Sequence, residues 1–521
     1  MRLAVYLTLC CCAAALQEDK QYWFNAADRE LASALKWKLN EGLAKNVIVF
    51  IGDGMGPNSV TAARIYKGNG NEQEKLTFDE FPHIGMLKTY CSDKQVPDSA
   101  STATALLCGV KTNYRVAGVD ANVKRHDCEA SLNPKFWTQS ILQWAQEAGK
   151  DTGFVTTTRV THATPSALYA HSPERSWECE ATMPPEASHC KDIARQLIED
   201  EPGKSIKVIM GGGRQCLVSN STGTSTDPID TWACSSEDGR DLIRTWKEDK
   251  ISRKFVSQVV QTSEELENVD VEKTDYLLGI FANGHLPYEH DRNKGPNGPP
   301  SLQNMTSTAI KILQKNPKGY VLVVEGGLID VAHHRGLARH ALNEIKEMDA
   351  AVRVAVDSTG VQSDTLIIVT SDHTHTLSIS GYPERGASIV GLAGNSKIDK
   401  IPYTSLNYAT GDMYAFKYTI NEKNKVVRQN PLQEDYTSFE YHQQAAILTD
   451  EALHGGGDVA VYAIGPMAHL FQSTHEQTYV AHVVGYAAKI GPYSYKNHHN
   501  QGACSHMSLL LYVILIIINI F

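Results

Sequence analysis

An α/β fold with a large, mostly parallel central sheet flanked by helices is predicted by two features of the sequence. Apolar, β-branched runs recur without a polar face, and Gly-rich turns carrying an acid or a histidine lie just past several of them. The first run is Asn46-Val47-Ile48-Val49-Phe50-Ile51, followed by Gly52-Asp53-Gly54-Met55-Gly56. A strand with no polar face belongs to a sheet covered on both sides, and ligands meet such sheets in the turns beyond the strand ends. Asp53 reads either as an ordinary turn aspartate or as a ligand-binding acid.

The pattern repeats along the chain. Thr152-Gly-Phe-Val-Thr-Thr157 runs into Arg159, His162 and Thr164, and Ile206-Lys-Val-Ile-Met210 runs into Gly211-Gly-Gly213. Tyr320-Val-Leu-Val-Val324 ends at Glu325-Gly-Gly-Leu-Ile-Asp330-Val-Ala-His333-His334, and Thr365-Leu-Ile-Ile-Val369 ends at Asp372-His373-Thr-His375. His454-Gly-Gly-Gly-Asp458 precedes a last run, Val459-Ala-Val-Tyr-Ala463. Helical patterns fall between, for instance over 136–148 and 310–313, which completes the alternation of an α/β domain. Ahead of it a helical pattern over 23–43 (Leu31, Leu35, Trp37, Leu39) suggests an N-terminal arm within 17–45. Residues 381–443 break the rhythm with short, polar, Pro- and Gly-interrupted pieces such as Asn421-Glu-Lys-Asn-Lys425. They read as an inserted subdomain between the two parts of the catalytic domain, 46–380 and 444–495.

The 521 residues, 42% apolar and 21% charged, describe a globular chain with a sizeable core. A net charge of -10 without a basic stripe argues against nucleic-acid binding and favours small-molecule chemistry. Both ends read as addresses. Met1-Arg2 and the apolar run after it form a secretory signal over 1–16, cut near Ala15 or Leu16. At the other end Leu509 to Phe521 is almost wholly apolar yet shorter than the ~20 residues of a membrane span. Gly502, Ala503, Cys504 and Ser505 precede it, the pattern of a glycosylphosphatidylinositol signal over 500–521 with Asn500 as attachment residue. A short membrane or dimer-packing helix is the alternative.

Secretion agrees with the cysteines. Of eleven, Cys10, Cys11 and Cys12 leave with the signal and Cys504 with the tail; Cys91, Cys108, Cys128, Cys179, Cys190, Cys216 and Cys234 remain. An odd number in an oxidising compartment allows three bridges and one free thiol. Asn220-Ser-Thr222 and Asn304-Met-Thr306 are glycosylation candidates in loop-like sequence.

The stretch Val96-Pro97-Asp98-Ser99-Ala100-Ser101-Thr102-Ala103-Thr104-Ala105 places a hydroxyl where a small-residue helix begins, at the end that favours an anion. The plain reading is that Asp98 or Ser99 caps that helix. Partners for Ser99 are available from four strand ends: Asp53, Glu325, Asp330, His334, Asp372, His373 and His454, with Thr164 as a further hydroxyl. Imidazole with carboxylate suits zinc, and carboxylate with a threonine hydroxyl suits magnesium. Each has a structural alternative, since His333-His334 or Asp372-His373 could be helix-cap or surface residues. Two zinc ions beside Ser99 would lower its pKa and activate water, and a guanidinium would hold the transferred phosphoryl oxygens. Arg175 is the candidate; its alternative is a surface arginine paired with Glu174 or Glu178.

Taken together, Ile51-Gly-Asp-Gly-Met-Gly56, Pro97-Asp-Ser-Ala-Ser-Thr-Ala-Thr-Ala105, Glu325-Gly-Gly, Asp372-His-Thr-His and His454-Gly-Gly resemble the alkaline phosphatases, in particular the animal tissue type, over about 46–491 in the family's order. The resemblance implies that Ser99 is the phosphorylated nucleophile and that Arg175 holds the phosphate. It implies one zinc on Asp330, His334 and His454, and a second facing Asp53, Asp372, His373 and Ser99. Magnesium falls to Asp53, Thr164 and Glu325, with His162 in its outer shell. It further implies an alkaline phosphomonoesterase on the outer cell surface, dimeric, with an N-terminal arm and a crown-like insertion. Its substrates would be small monoesters such as nucleotides, or pyrophosphate. Cys128 and Cys190 would form the family's bridge and Cys108 its free helix thiol, leaving Cys216 and Cys234 to pair within their own loop.

The chain departs from the family at two places. Val331 stands where animal members carry a histidine after the zinc-binding aspartate, which removes a water-mediated phosphate contact. Ala282 follows Phe281 where members carry an acid of a fourth, calcium-like site, which leaves that site unsupported unless Asp291 or Glu289 substitutes. A phosphodiesterase, sulfatase or phosphomutase would share the metal-binding pattern but frames its nucleophile differently; a surface binding protein without activity would be expected to have lost a core ligand.

Overall fold

The computed structural model describes residues 18–360 and 364–494, so the signal at 1–16 and the tail with Asn500 lie outside the described residues. The chain divides into two units, Met1–Leu39 and Asn40–Phe521. In the first, α1 (Lys20–Ala34) is capped by Asp19, whose side chain accepts from the Tyr22 N–H, and it has no buried residue. It ends well short of residue 43. Leu31 and Leu35 keep one helical face, but Leu35, Trp37 and Leu39 are spaced by two, so the apolar pattern leaves the helix there.

The second unit is built on a ten-stranded sheet. In chain order its strands are β1 (Asn46–Gly52), β2 (His83–Lys88), β3 (Asp151–Arg159), β4 (Val208–Gly212), β5 (Ser257–Val260), β6 (Tyr276–Ile280), β7 (Tyr320–Gly326), β8 (Thr365–Ser371), β9 (Val459–Ile464) and β10 (Ser473–Glu476). Their spatial order is β10-β2-β9-β8-β1-β7-β3-β4-β6-β5. β1 lies in the middle, parallel to β7 and β8, with Val49 paired to Val323 on one side and Ile368 on the other. Val47 to Ile51 have no exposed surface, each such side chain contributing about 1.5–3 kcal/mol of burial. Helices cover both faces: α2 (Pro57–Lys67), α4 (Leu302–Leu313) and α6 (Ala338–Thr359) lie against the core that holds Ile48 and Phe50. α3 (Ser99–Cys108) and α7 (Tyr479–Ala488) lie against the one that holds Val47, Val49 and Ile51. One more helix, α5 (Leu328–His334), follows β7 directly.

β9 is the exception to parallel pairing, running antiparallel to both β8 and β2. That reversal matters for the site. The residues before β9 come out at the same edge as the residues after β1, β7 and β8, so His454 joins acids that follow their strands.

Residues 381–443 contain short strands, among them Tyr418–Ile420 and Val426–Arg428, closed into a hairpin by Asn421–Lys425. The strand Leu406–Gly411 pairs outside that span, with Leu377–Ile379 and Ala445–Leu448. Among the described residues no helix is long and apolar enough to cross a membrane.

Burial on α6 carries one ionisation with a testable consequence. Glu344 is 3% exposed and accepts from the Glu289 N–H at 2.6 Å; burial, with Glu289, Glu347 and Asp291 nearby, pushes its carboxyl up to about 8. A folded-state pKa above the unfolded one stabilises below the unfolded pKa and loses that stability as pH rises toward about 8. Glu344→Gln keeps an acceptor for Glu289 and removes the charge. Its stability relative to the wild type is expected to improve from about pH 5 to about pH 9 by on the order of 3 kcal/mol, read by denaturant unfolding at both ends.

Candidate active site

α3 starts at Ser99 because Asp98 caps it. The Asp98 carboxylate accepts from the backbone N–H groups of Ala100 and Ser101 (3.1 and 3.3 Å) and from Ser101 Oγ (2.8 Å), a cap worth about 1 kcal/mol. Both readings of the motif therefore hold, Asp98 being the cap and Ser99 the first helical residue. Small side chains let all ten residues of α3 be buried, and Gly109 ends it in the left-handed region at φ 73°. Asp98 also accepts from the Arg115 N–H (2.7 Å) and Arg175 Nη1 (3.2 Å); against the upward push of burial, Arg175 and these N–H groups hold its pKa below the usual value. Ser99 Oγ is buried, 3.3 Å from His373 Nε2 and 3.5 Å from Asp53 Oδ1.

The strand ends deliver the acids. Asp53 follows β1 and is held by a turn in which Gly54 has φ 68°; a Cβ there would sit 2.7 Å from His375. Asp372 follows β8 and accepts from Gly54 N (3.0 Å), His373 N (2.8 Å) and Thr102 Oγ1 (3.0 Å). Glu325, near the end of β7, accepts from Thr156 (2.5 Å) and Thr158 (3.2 Å) through Oε2, while its Oε1 is buried with no protein partner. Asp330 and His334 stand one turn apart on α5, their side chains 3.4 Å from each other. His333, next in line, turns the other way: it bonds Ser59 (2.9 Å) and Tyr408 (2.7 Å) inside the core.

Four carboxylates, Asp53, Glu325, Asp330 and Asp372, are thus buried together. Burial and the neighbouring acids push Asp53 well above its ordinary value, and burial raises Glu325 to about 7. Asp330 goes the other way: despite burial, His334, His375 and His454 hold it well below the usual range. The imidazoles complete the picture. Nδ1 of His334 lies 2.9 Å from the Ala452 carbonyl and Nδ1 of His454 lies 2.9 Å from the Pro97 carbonyl, so each ring places its proton on Nδ1. The two Nε2 atoms then face each other at 2.9 Å, with Asp330 Oδ1 3.5 Å from that of His454. Two imidazole nitrogens and a carboxylate converging on one point, with a carboxylate oxygen of Glu325 that has no protein partner, fit divalent cations in donor type and charge. Three ligand sets meet that geometry here: Asp330, His334, His375 and His454; Asp53, Asp372 and His373; and Asp53, His162 and Glu325.

Sequence reasoning gave His375 no role, although it stood in the quoted motif. Its Nε2 is 2.5 Å from Asp330 Oδ1, and its strand pairs residue for residue with the His454 strand. Arg175 is not paired with Glu174 or Glu178. Glu174 is engaged by Arg115 (2.8 Å) and Arg125 (2.6 Å), and Glu178 by Arg159 (2.7 Å). Arg175 instead donates to Asp98 and to His162 Nε2 (3.1 Å), while Thr164 Oγ1 reaches Asp53 Oδ2 at 3.5 Å. A cavity of about 550 Å³ opens over these groups, lined among others by Arg175, His162, His454, Val331, Arg159 and Arg335.

Two expectations are corrected. Cys216 does not pair with Cys234: among the described residues the bridges are Cys128–Cys190 and Cys179–Cys234, and Cys91, Cys108 and Cys216 are free. Cys179 comes within 5.8 Å of Cys234 between Cα atoms, while the Cys216 thiol lies 3.2 Å from the Cys234 carbonyl oxygen. Asn304 lies in the first turn of α4, exposed, and its Thr306 hydroxyl is buried against the Leu302 carbonyl; Asn220 is exposed in a turn. The two acids offered for the calcium-like site have other partners. Beside Ala282 the Arg214 guanidinium bonds Asp227 (2.6 Å) and Asn283 (3.1 Å), Glu289 is engaged by Arg292 and Lys294, and Asp291 faces His340.

A hydroxyl at a helix N-terminus, facing acids and imidazoles grouped for cations at the carboxyl edge of a parallel sheet, defines the class as a metal-dependent ester hydrolase. The comparisons narrow it. The alkaline phosphatase family model matches residues 44–490, and the chain belongs to that family; it is a phosphoric monoester hydrolase. It is 46% identical to tissue-nonspecific alkaline phosphatases of Felis catus (91% of this chain, 90% of the relative) and Homo sapiens (94% and 91%). It is 43% identical to the alkaline phosphatase of Gadus morhua (91% and 98%). The fold matches the solved alkaline phosphatase of Thermus thermophilus, at a TM-score of 0.59 and 23% identity over 87% of this chain and 92% of that one.

Proposed function

We propose that the chain is a zinc- and magnesium-dependent alkaline phosphomonoesterase that works through a phosphoserine on Ser99. The observation that carries the reading is the meeting of the His334 and His454 Nε2 atoms at 2.9 Å beside Asp330, with the His454 ring stacked 3.6 Å from His373 and His373 in contact with Ser99 Oγ. Asp330, His334 and His454, with His375 alongside, would hold one zinc; Asp53, Asp372, His373 and Ser99 a second; Asp53, Thr164 and Glu325 magnesium, with His162 outside it. Bound there, the ions would supply Lewis acidity that lowers the pKa of the serine hydroxyl and of water.

The protein's own groups do the rest. Asp98 fixes the start of α3 and so aims Ser99 Oγ, at the positive end of the helix, toward the incoming phosphate. The same carboxylate holds Arg175, whose guanidinium spans the phosphoryl oxygens as charge spreads over them. Oγ forms a bond to phosphorus as the bond from phosphorus to the alcohol oxygen breaks, and the alcohol departs with a proton. Water then attacks the phosphoserine on the opposite face, releasing inorganic phosphate and restoring the hydroxyl. A guanidinium matched to a dianion favours monoesters, nucleotides and pyrophosphate among them, over diesters.

A homodimer, with the 17–45 arm and the 381–443 insertion contributing to it, belongs to this reading, as does a lipid anchor at Asn500 on the outer cell surface. It is supported by the tail composition and by a relative from Bombyx mori, 38% identical and named a membrane-bound alkaline phosphatase. The test is hydrolysis of a chromogenic phosphate monoester at alkaline pH, with a matched diester alongside. Monoester turnover that chelation removes and that zinc and magnesium together restore is expected. Turnover indifferent to chelation, or a preference for the diester, would overturn the reading.

Val331 tunes this site. It is half-buried and lines the cavity next to Asp330. Val331→His would add a donor for phosphate, directly or through water, and one such bond is worth about 1 kcal/mol, or about fivefold. Inhibition by inorganic phosphate is expected to tighten by that factor and the pH profile to move; unchanged values would remove Val331 from the determinants of affinity.

A further inference from the structure

A second convergence of ligand atoms lies outside the catalytic cluster and shares no residue with it. His340, on α6, is 1% exposed, and its ring is packed by Tyr288 (stacked, 4.2 Å) and Phe439 (5.0 Å). Its Nε2 points out of this slot at two carboxylates from distant segments: Glu440 Oε1 at 3.2 Å and Asp291 Oδ2 at 3.8 Å. Their side chains are 74% and 45% exposed. One ring nitrogen offers a single hydrogen, so it satisfies Glu440 and leaves Asp291 beyond hydrogen-bond range. Three ligands each ~2.1 Å from a tetrahedral zinc stand about 3.4 Å apart, and the observed spacings straddle that value. All three ligand atoms lie within 4.8 Å of one another.

The surroundings suit a cation more than a hydrogen-bonded triad. Arg292 and Lys294 are committed to Glu289, so neither cation pairs with the cluster. Arg339 lies over Phe439 (4.2 Å) and donates to the Thr437 carbonyl. The other ring nitrogen, Nδ1, of His340 is buried without a hydrogen-bond partner and can carry the hydrogen when Nε2 acts as a ligand. His290, stacked on Phe439 at 3.6 Å, has Nε2 4.0 Å from Asp291 Oδ1.

We propose that Asp291, His340 and Glu440 form an additional divalent-cation site, of zinc type, that ties the segment around residues 437–440 to α6 and to the loop after β6. A nitrogen donor between two carboxylates selects zinc over calcium, which takes oxygen ligands alone. The site is independent of the catalytic ions and does not depend on how those are assigned.

The experiment compares the full-length holoenzyme with the Asp291→Asn/Glu440→Gln double variant after equilibrium dialysis against the same free Zn2+. Elemental analysis reads zinc per chain, and monoester hydrolysis reads the catalytic site. The double variant is expected to carry one zinc fewer per chain at unchanged kcat. Added Zn2+, beyond what saturates turnover, is expected to raise the melting temperature of the wild type and not that of the variant. Glu440→Gln alone, at an exposed position, guards against misfolding and is expected to weaken the same zinc binding at least tenfold. Equal zinc content in fully active wild type and variant would overturn the proposal, as would a wild-type melting temperature indifferent to added Zn2+.

Discussion

Ser99→Ala is expected to lower kcat by about 10^4-fold or more and to abolish acid-stable labelling of the chain by radioactive phosphate. Three hydroxyls open α3, and the structure separates them. Ser101 Oγ is committed to Asp98 at 2.8 Å, and Thr102 Oγ1 to Asp372 at 3.0 Å. Ser99 Oγ lies against His373 and Asp53, both in ligand sets fitted to cations, and beside the Asp98 that holds Arg175. Alanine is well suited to the first turn of a helix, so the substitution should leave stability within about 1 kcal/mol. Ser101→Ala is the informative control. It removes a capping bond and is expected to cost about 1 kcal/mol of stability while label still reaches the chain. Label retained by the Ser99→Ala protein and lost from the Ser101→Ala protein would place the nucleophile wrongly.

The central strands were legible because β1, β7 and β8 are buried on both faces and so read as unbroken apolar runs. β2 was not, since its burial alternates and Ile84 is 49% exposed, which looks like surface. β6 is fully buried, but at five residues its run is short, and it went unread although Asn283-Gly284-His285 follows it. The reversed direction of β9 was hidden for a different reason: an apolar run carries no sign of which neighbour it pairs with. The site was legible where a residue type is rare in its setting, an acid or imidazole after a buried strand, and it was not where the role depends on direction. His375 lies on a short strand whose pairing with His454 sets its aim, and no local pattern encodes that pairing. The Cys179–Cys234 bridge was missed likewise, because it joins segments that only the fold brings together.

Direction also makes His333 and His334 the sharpest paired test of the site. The two are neighbours in sequence, on one short helix, yet they serve different parts of the protein. His334 Nε2 faces His454 and Asp330, and its Nδ1 is fixed by the Ala452 carbonyl. His333 has no exposed surface, its two nitrogens being taken by Ser59 and Tyr408. His334→Ala should therefore lose catalysis: a fall in kcat/KM of about 10^3-fold, with zinc content reduced by about one ion per chain. Its fold should be nearly untouched when the metal-depleted proteins are compared, because the His334 ring is half-buried at the cavity wall and not in the core. His333→Ala should do the reverse. It leaves a cavity and two orphaned hydroxyls in the core, costing about 2–4 kcal/mol, while turnover per folded molecule stays within about threefold. Denaturant unfolding of the metal-depleted proteins and active-site-titrated kinetics separate the outcomes. If both variants lost catalysis alike at equal stability, the orientation of α5 would be wrong, and with it the placement of Asp330.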